Sequence, residues 1–336
     1  MKPLNADQVF TTLNPLAPSN RGGRALSRKG RLTAEVLVVL YIAAIALAAN
    51  VSRIPYLLFP EMGALVYDLL TRPWGKWASQ PVRLFVTPAI TALAGTLITR
   101  YVPFNLLSVA IIVLLSVAVI AVLHSAITPA MSAGLLPLVL GVKSWLYPIS
   151  ILATLTALSL ISVIWRRYHP ARSGYVPSGE VEDVLESLPK GKMWLAVLIA
   201  FALIMTEAAR LSGWRFLLFP PLVTMAYEMF GHPRTCAWMK RPITLPLACS
   251  IVACGGLAAE RIFGTGIAMA IISVVIGIAV LRIFDLHMPP ALAIGLLPAV
   301  ITAPDFTFPL AVLAATLCLT GAFLLYQRVL RIRGST

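Results

Sequence analysis

Long apolar runs, separated by short polar stretches, dominate this chain. Four runs in the first half approach the length of a transmembrane helix, at residues 34–50, 84–100, 106–123 and 145–165. Two shorter apolar segments lie among them and begin at Pro60 and Pro129. The pattern predicts long helices that cross a membrane and short helices that start at prolines.

The same landmarks recur in the second half of the chain. Phe59-Pro60 returns as Phe219-Pro220, an interval of 219 − 59 = 160, and Gly134-Leu135-Leu136-Pro137 returns as Gly295-Leu296-Leu297-Pro298, an interval of 295 − 134 = 161. We therefore predict two copies of one unit, at residues 34–170 and 192–333. A polar linker at 171–191 separates the copies, and a basic tail at 1–33, expected to be disordered, precedes them.

A weaker repeat is nested inside each copy, because the intervals 129 − 60 and 290 − 221 both equal 69. Proline fixes its own φ, lacks an amide donor and disfavours helix in the residue before it, so each motif predicts an extended stretch followed by a helix start. The predicted fold is an all-α membrane protein with two tandem parallel repeats, each of four long transmembrane helices plus two short proline-started half-helices. Whether the short segments cross the bilayer or re-enter stays open.

Composition places the chain in a bilayer. With 59% hydrophobic and 12% charged residues and a mean hydropathy of +0.88, it is too apolar for a water-soluble domain. The net charge of +14 could indicate nucleic acid, but the basic residues form short clusters between apolar runs. This is the positive-inside pattern, which predicts a bacterial inner-membrane protein with both termini cytoplasmic, lipid as a partner and no nucleic acid.

Little in the sequence indicates catalysis. The cysteines lack CxxC spacing and are predicted to be buried small side chains: Cys236, Cys249, Cys254 and Cys318. The sequence contains no P-loop, HExxH motif or nucleophile elbow. We expect no enzyme activity, no metal and no cofactor.

The proline-started helices are the candidate site. If they begin at mid-membrane, their amide groups and positive dipole ends converge on one depth, and an anion is the ligand that such ends favour. Small and hydroxyl residues beside the prolines would let a ligand approach, although close helix packing explains them equally well. The candidate substrate-binding residues are Pro60, Glu61, Gly63, Thr128, Pro129, Ser132, Pro220, Pro221, Thr224, His287, Pro289 and Pro290.

Ionisable residues in the apolar segments refine this picture. Glu61 could be an acid stabilised by the helix dipole, a proton-coupling group, or an internal anion that substrate displaces. Asp68 and Glu228, which match at an interval of 228 − 68 = 160, are predicted to be solvated or paired with loops. Glu207 and Arg210 are predicted to pair with each other, and His287 could titrate near neutral pH.

Two motifs of the second half resemble the HPP integral membrane family. His287-Met288-Pro289-Pro290-Ala291 is followed by Gly295-Leu296-Leu297-Pro298, and in the first half Gln80-Pro81-Val82-Arg83 is similar to the family's Gln-Pro-Arg loop. Met288 occupies the place of the motif histidine, and the first copy has Ile127-Thr128-Pro129-Ala130 there. The resemblance covers both copies and implies transport of a small anion, with nitrite the cargo in plants.

These observations lead to two hypotheses. The first is a membrane transporter or channel for a small inorganic anion such as nitrite or nitrate, held at the N-termini of the half-helices. The alternative is a non-transporting membrane subunit or scaffold that uses the tail and linker as contact surfaces. The sequence leaves open the ion, its coupling, the direction of transport and whether the chain forms a homo-oligomer.

Overall fold

A computed structural model describes residues 26, 28–168, 184–236, 238 and 241–334, and these residues contain helices but no strand. Most of the predicted tail and the first part of the predicted linker lie outside this range. The first described helix begins at Arg28, six residues before the predicted start at residue 34.

The α-helices follow one another in the order α1 (Arg28–Ser52), α2 (Glu61–Thr71), α3 (Pro81–Tyr101), α4 (Leu106–Val122), α5 (Ala130–Leu140), α6 (Leu146–Tyr168), α7 (Met193–Ser212), α8 (Pro220–Gly231), α9 (Thr244–Phe263), α10 (Ile267–Ile283), α11 (Pro290–Leu296) and α12 (Thr307–Gly334). Short 3-10 helices occur at Pro55–Leu57, Arg215–Leu218 and Leu297–Ala299.

Six of these helices are long and apolar enough to cross a membrane: α1, α3, α6, α7, α9 and residues 307–330 of α12. The predicted spans at α4 and α10 are shorter, at 17 residues each. Outward-facing apolar side chains are well exposed, for example Leu40 at 58%, Ile204 at 66% and Leu325 at 64%. The chain is therefore compatible with an integral membrane protein, in which lipid would cover these faces.

Two of the four cysteines contradict the expectation of burial. Cys236 and Cys249 are buried, whereas Cys254 and Cys318 are exposed on α9 and α12. Both exposed thiols lie on helices of spanning length. Lipid around these helices would be apolar, and it would accommodate a small side chain as a protein interior does.

The short helices begin inside the bundle and run to opposite ends. We call the end at which α1 begins the near end and the opposite end the far end. At the near end, Trp165 in α6 donates to the carbonyl of Leu70 at the end of α2, at 3.1 Å. At the far end, Arg100 in α3 donates to the carbonyl of Lys143, just after α5, at 3.4 Å.

An extended stretch was predicted before every short helix. In the structure, these stretches are only partly extended. Before α2 and α8 the chain forms 3-10 turns, in which the amide of Leu58 donates to the carbonyl of Pro55 at 3.1 Å. Such turns satisfy backbone groups that apolar surroundings would leave without partners. Before α5 the chain is irregular, and the Gln80 side chain accepts from the amide of Ala126 at 2.9 Å.

The two halves of the chain pack through crossed pairs of helices. The short helix α2 contacts α11, and α8 contacts α5, so that each short helix meets a short helix of the other half. Among the long helices, α1 contacts α10 and α7 contacts α4. Each kind of pairing thus occurs twice, with the roles of the halves exchanged, and the short helices lie at the centre.

Two glycine pairs bring the short helices into backbone contact with their neighbours. A Cβ atom added to Gly95 of α3 would lie 1.9 Å from the carbonyl oxygen of Gly134 in α5, and one added to Gly256 of α9 would lie 2.2 Å from that of Gly295 in α11. No side chain fits at such distances. Small residues of this kind let apolar helices pack closely where the hydrophobic effect between them is weak.

We predict that Gly95→Ala and Gly256→Ala each lower the thermal unfolding midpoint of the detergent-purified protein, through overpacking that costs about 1–3 kcal/mol or more. Gly321→Ala is the matched control, because a Cβ atom at Gly321 of α12 meets no atom within 4 Å. The control should keep or slightly raise the midpoint, since alanine favours helix over glycine. Equal midpoints for all three variants would contradict the packing argument.

Candidate functional site

The predicted prolines lie where the short helices begin. Pro60, Pro129 and Pro289 are the residues that immediately precede α2, α5 and α11, whereas Pro220 and Pro221 form the first turn of α8. Proline suits these positions because its fixed φ matches the helix and the first turn needs no amide donor from it.

Hydroxyl groups of two short helices meet across the two halves at the centre of the bundle. The Ser132 hydroxyl of α5 and the Thr224 hydroxyl of α8 are 2.9 Å apart, and either could be the donor. The Thr128 hydroxyl, just before α5, donates to the Glu228 carboxylate of α8 at 2.6 Å. The structure therefore brings three predicted site residues together with an acid expected elsewhere.

Glu61 begins α2 beside this hydroxyl pair. The residue is 2% exposed, and neither carboxylate oxygen has a hydrogen-bond partner among the described residues. The Ser132 hydroxyl is close enough to interact with the carboxylate but does not meet hydrogen-bond geometry, and it pairs with Thr224 instead. Tyr147 of α6 also lies nearby, with its hydroxyl donating to the carbonyl of Ala133 at 2.7 Å. We call Glu61, Ser132, Thr224 and Tyr147 the central cluster.

Several first-turn amides of the short helices are not free, contrary to expectation. The amides of Met62 and Gly63 donate to the carbonyls of Phe59 and Pro60, at 2.9 and 3.1 Å, and the amide of Leu222 donates to Phe219 at 3.0 Å. These tight turns satisfy donors that would otherwise be buried without partners. A ligand at the centre would therefore meet hydroxyl groups and the positive ends of the helix dipoles.

Gly63 serves close packing in this structure. A Cβ atom there would lie 2.9 Å from the Leu296 side chain and 3.3 Å from that of Leu292, so α2 and α11 approach closely at this point. Of the two explanations that the sequence left equal, ligand access and helix packing, the geometry favours packing at this glycine.

Asp68 and Glu228 are buried, so the expectation of solvation was wrong for both. The alternative of pairing with loops is confirmed: Asp68 contacts Arg72 and His287, and Glu228 accepts from Thr128. The Asp68 carboxylate of α2 is fully buried, accepts from Arg72 at 2.8 Å and lies 2.9 Å from the His287 ring nitrogen. Arg72 also contacts the Glu186 carboxylate at 2.8 Å. The two halves pack closely here, which removes both acids from water. We call Asp68, Arg72, Glu186 and His287 the near-end cluster.

The near-end cluster places His287 against an acid of the other half. The His287 ring stacks on Tyr67 at a centroid distance of 5.8 Å. His287 lies two residues before Pro289 and away from the central cluster. The predicted ligand role of His287 therefore finds no support from contact with Glu61 or Ser132. The geometry instead gives it a bridging role between α2 and the start of α11.

The described part of the linker is attached to the same end of the bundle. Besides the Glu186 contact, the His232 ring lies 2.9 Å from the carbonyl of Ser187. His232 follows α8, outside the apolar helices, and burial lowers its pKa, while the Ser187 contact acts in the opposite direction. A neutral ring that donates one hydrogen bond fits this position.

A basic cavity opens between the halves at the far end. It has a volume of about 570 Å³, and its lining includes four cationic residues and no acidic one. The cations come from both halves: Arg100, Lys143, Arg210 and Arg215. We call this cavity the far-end vestibule. A second cavity of about 220 Å³, between the end of α1 and the start of α10, is lined by a single cation, Arg53.

Contacts hold the guanidinium groups of the vestibule in place. Arg215 donates to the carbonyl of Leu138 at 2.8 Å and lies 5.0 Å from the centre of the Phe104 ring. Arg100 lies 4.7 Å from the centre of the Trp145 ring. Arg210 pairs with Glu207 at 2.8 Å, which confirms the predicted pair. Fixed cations of this kind create a lasting positive potential.

The sequence signalled some of these residues and not others. The vestibule cations were visible as arginines and lysine at the ends of apolar runs, but no spacing indicated that they share one cavity, because they come from separate helix ends and connecting segments. Tyr147 carried no signal, since an aromatic residue near the start of a spanning helix is common. Only the packing of α6 against the central helices places it beside Glu61.

We predict that Arg72→Ala destabilises the protein far more than Arg210→Ala does. Removing Arg72 leaves the buried Asp68 and Glu186 carboxylates without their shared cation, which typically costs about 3–5 kcal/mol. The Glu207–Arg210 pair is exposed, and such pairs contribute about 0–1 kcal/mol. Thermal unfolding midpoints of the two variants in one detergent test this, and similar midpoints would contradict it.

Comparisons with known proteins add no relative to this picture. Neither a scan against protein-family models nor searches of curated proteins and solved structures finds a match to this chain. The resemblance to the HPP family therefore rests on the motifs around Gln80 and His287, and the function is argued from the site itself.

Proposed function

We propose that this chain is a membrane transporter or channel for a small inorganic anion of the nitrite or nitrate kind. The far-end vestibule is the observation that carries the proposal. Its four cations, of which Arg210 is paired with Glu207, line a single cavity at the junction of the two halves, and no acid is among the described residues that line it. A cleft lined by one sign of charge raises the local concentration of ions of the other sign, and low-dielectric walls strengthen the effect.

One helix links the vestibule to the central cluster. Leu138 of α5 and Gly141, just after it, line the cavity, and Ser132 in the same helix lies about two turns deeper. An anion that leaves the vestibule along α5 would meet the paired hydroxyls of Ser132 and Thr224. The N-terminal ends of α2, α5 and α8 would add their positive dipoles there.

The finer architecture belongs to the same proposal. We interpret the two halves as tandem parallel repeats of one duplicated unit, which accounts for the crossed packing of short helices. The near end would face the cytoplasm of a bacterial inner membrane, because loops at that end carry basic residues such as Lys76, Arg83 and Arg166. The resemblance to the HPP family also supports the proposal, because it implies transport of a small anion.

Flux across liposomes that contain the purified protein tests the function directly. We expect the protein to move nitrate or nitrite faster than protein-free liposomes do, and to gain thermal stability in detergent when its preferred anion is added. Chloride and sulfate provide the comparison. An absence of flux and of selective stabilisation for the whole panel would favour a non-transporting subunit or scaffold.

We predict that Arg100→Gln slows anion uptake, whereas Arg261→Gln leaves it nearly unchanged. Both arginines lie in the last turn of corresponding long helices. Each donates to the carbonyl of a residue that follows a short helix, and each lies over an aromatic ring. The difference is that Arg100 lines the vestibule and Arg261 does not. A unit charge near an ion in water contributes about 1 kcal/mol, so we expect a decrease of roughly fivefold at low salt.

The effect of Arg100→Gln should diminish as ionic strength rises, because salt screens the vestibule charge. Initial uptake rates at low and high concentrations of an impermeant salt measure this dependence. Equal rates for both variants would remove the vestibule from the transport path.

A further inference from the structure

We infer that Glu61 binds a proton that is carried together with the anion, so that the central cluster is one shared site for both. The inference rests on the proposed anion transport and adds the coupling ion to it. The observation behind it is a buried carboxyl group, at the junction of both halves, whose two oxygens have no hydrogen-bond partner among the described residues.

Among the residues that the structure describes, Glu61 has no cation within reach to balance a negative charge. The helices α1, α6 and α11 pack against α2. The charged side chains of α1 that approach α2 are Arg31 and Glu35, which lie at the near end beside Tyr67. An ionised carboxylate without a partner in such surroundings is strongly disfavoured, so the group carries its proton when the site is closed.

The other neighbours of α2 do not supply a charge either. Helix α11 contains no ionisable residue, and His287 before it is engaged by Asp68, seven residues and about 10 Å along α2 from Glu61. Helix α6 presents Tyr147, whose hydroxyl already donates to the carbonyl of Ala133. Ser132 of α5 offers a neutral hydroxyl. Glu61 is therefore a neutral acid that faces neutral polar groups.

An anion beside Ser132 and Thr224 would couple to this proton through charge. A bound anion and an ionised Glu61 would repel each other in the same dipole field, so each anion that binds favours the protonated form of the acid. In the cycle, a hydronium ion donates its proton to a Glu61 oxygen as the anion enters: an O–H bond of hydronium breaks, a water molecule remains, and an O–H bond on Glu61 forms. The same bond breaks when both ions leave on the other side, so one proton and one univalent anion cross together without net charge.

The second half of the chain provides no equivalent proton site. The position that corresponds to Glu61 is Pro221, since 221 − 61 = 160, and the residue that corresponds to Ser132 is Ala293, since 293 − 132 = 161. Glu228, the buried acid of α8 in the second half, differs from Glu61 because its carboxylate accepts from the Thr128 hydroxyl. The proton is therefore assigned to Glu61, whose oxygens have no such partner among the described residues.

Proton movement that accompanies nitrate flux tests the inference. Liposomes containing the protein and a pH-sensitive dye receive an inward gradient of nitrate, with equal potassium concentrations on both sides, so that valinomycin holds the membrane potential near zero. Nitrate is the suitable probe because it stays ionised, whereas nitrous acid crosses lipid by itself and carries protons. We expect internal acidification by the wild type, by Glu61→Asp and by the control Asp285→Asn, which removes the charge of an exposed acid at the near end, away from the vestibule.

Glu61→Gln mimics the protonated acid permanently. It should exchange isotopically labelled nitrate across the membrane while its nitrate-driven acidification falls to the level of protein-free liposomes. Acidification by Glu61→Gln equal to that of the wild type would overturn the assignment of the proton to Glu61.

The remaining outcomes separate this inference from the proposed function. Nitrate uptake by the wild type without acidification overturns proton coupling and leaves anion transport standing. An absence of wild-type flux for every anion of the panel overturns both. If Glu61→Gln does not fold, the wild type and Glu61→Asp still test proton coupling, because coupling requires internal acidification in both.

Discussion

This structure depends on one constraint: the backbone groups at the starts of the short helices are buried away from water and need partners within the protein. Each short helix begins inside the bundle, where hydrocarbon or protein replaces solvent and an unpaired backbone group is costly. The chain meets this demand locally, with 3-10 turns before α2 and α8, and through side chains such as Gln80 and Thr91, which bond to the backbone at the start of α5. The glycine pairs then allow the neighbouring long helices to enclose the short ones.

The crossed packing of the short helices brings polar groups of the two halves together at three places. The central cluster, the near-end cluster and the far-end vestibule all lie where residues of the two halves meet. At the near end, the contact of Asp68 with His287 and the ion pair of Glu35 with Arg282 join the halves, whereas at the far end the halves leave an open basic cavity. This difference between the ends is the arrangement expected of an alternating-access protein that faces one side, and it gives the proposed transport a direction of approach for the anion.

The second half differs from the first in ways that matter for the proposal. The acid and the serine of the central cluster have proline and alanine at the matching positions of the other half. Any anion path is therefore expected to be asymmetric, even though the helix pairings recur.

The sequence by itself determined the membrane class, the long helices and the proline starts of the short ones, because hydropathy and proline geometry are local properties. The Glu207–Arg210 pair followed from helix spacing in the same way. The tertiary structure alone decided that Asp68 and Glu228 are buried, that the first-turn amides are engaged, and that Glu61 lacks a partner. Those properties depend on which helix of one half packs against which helix of the other, and no pattern along a single chain records that choice.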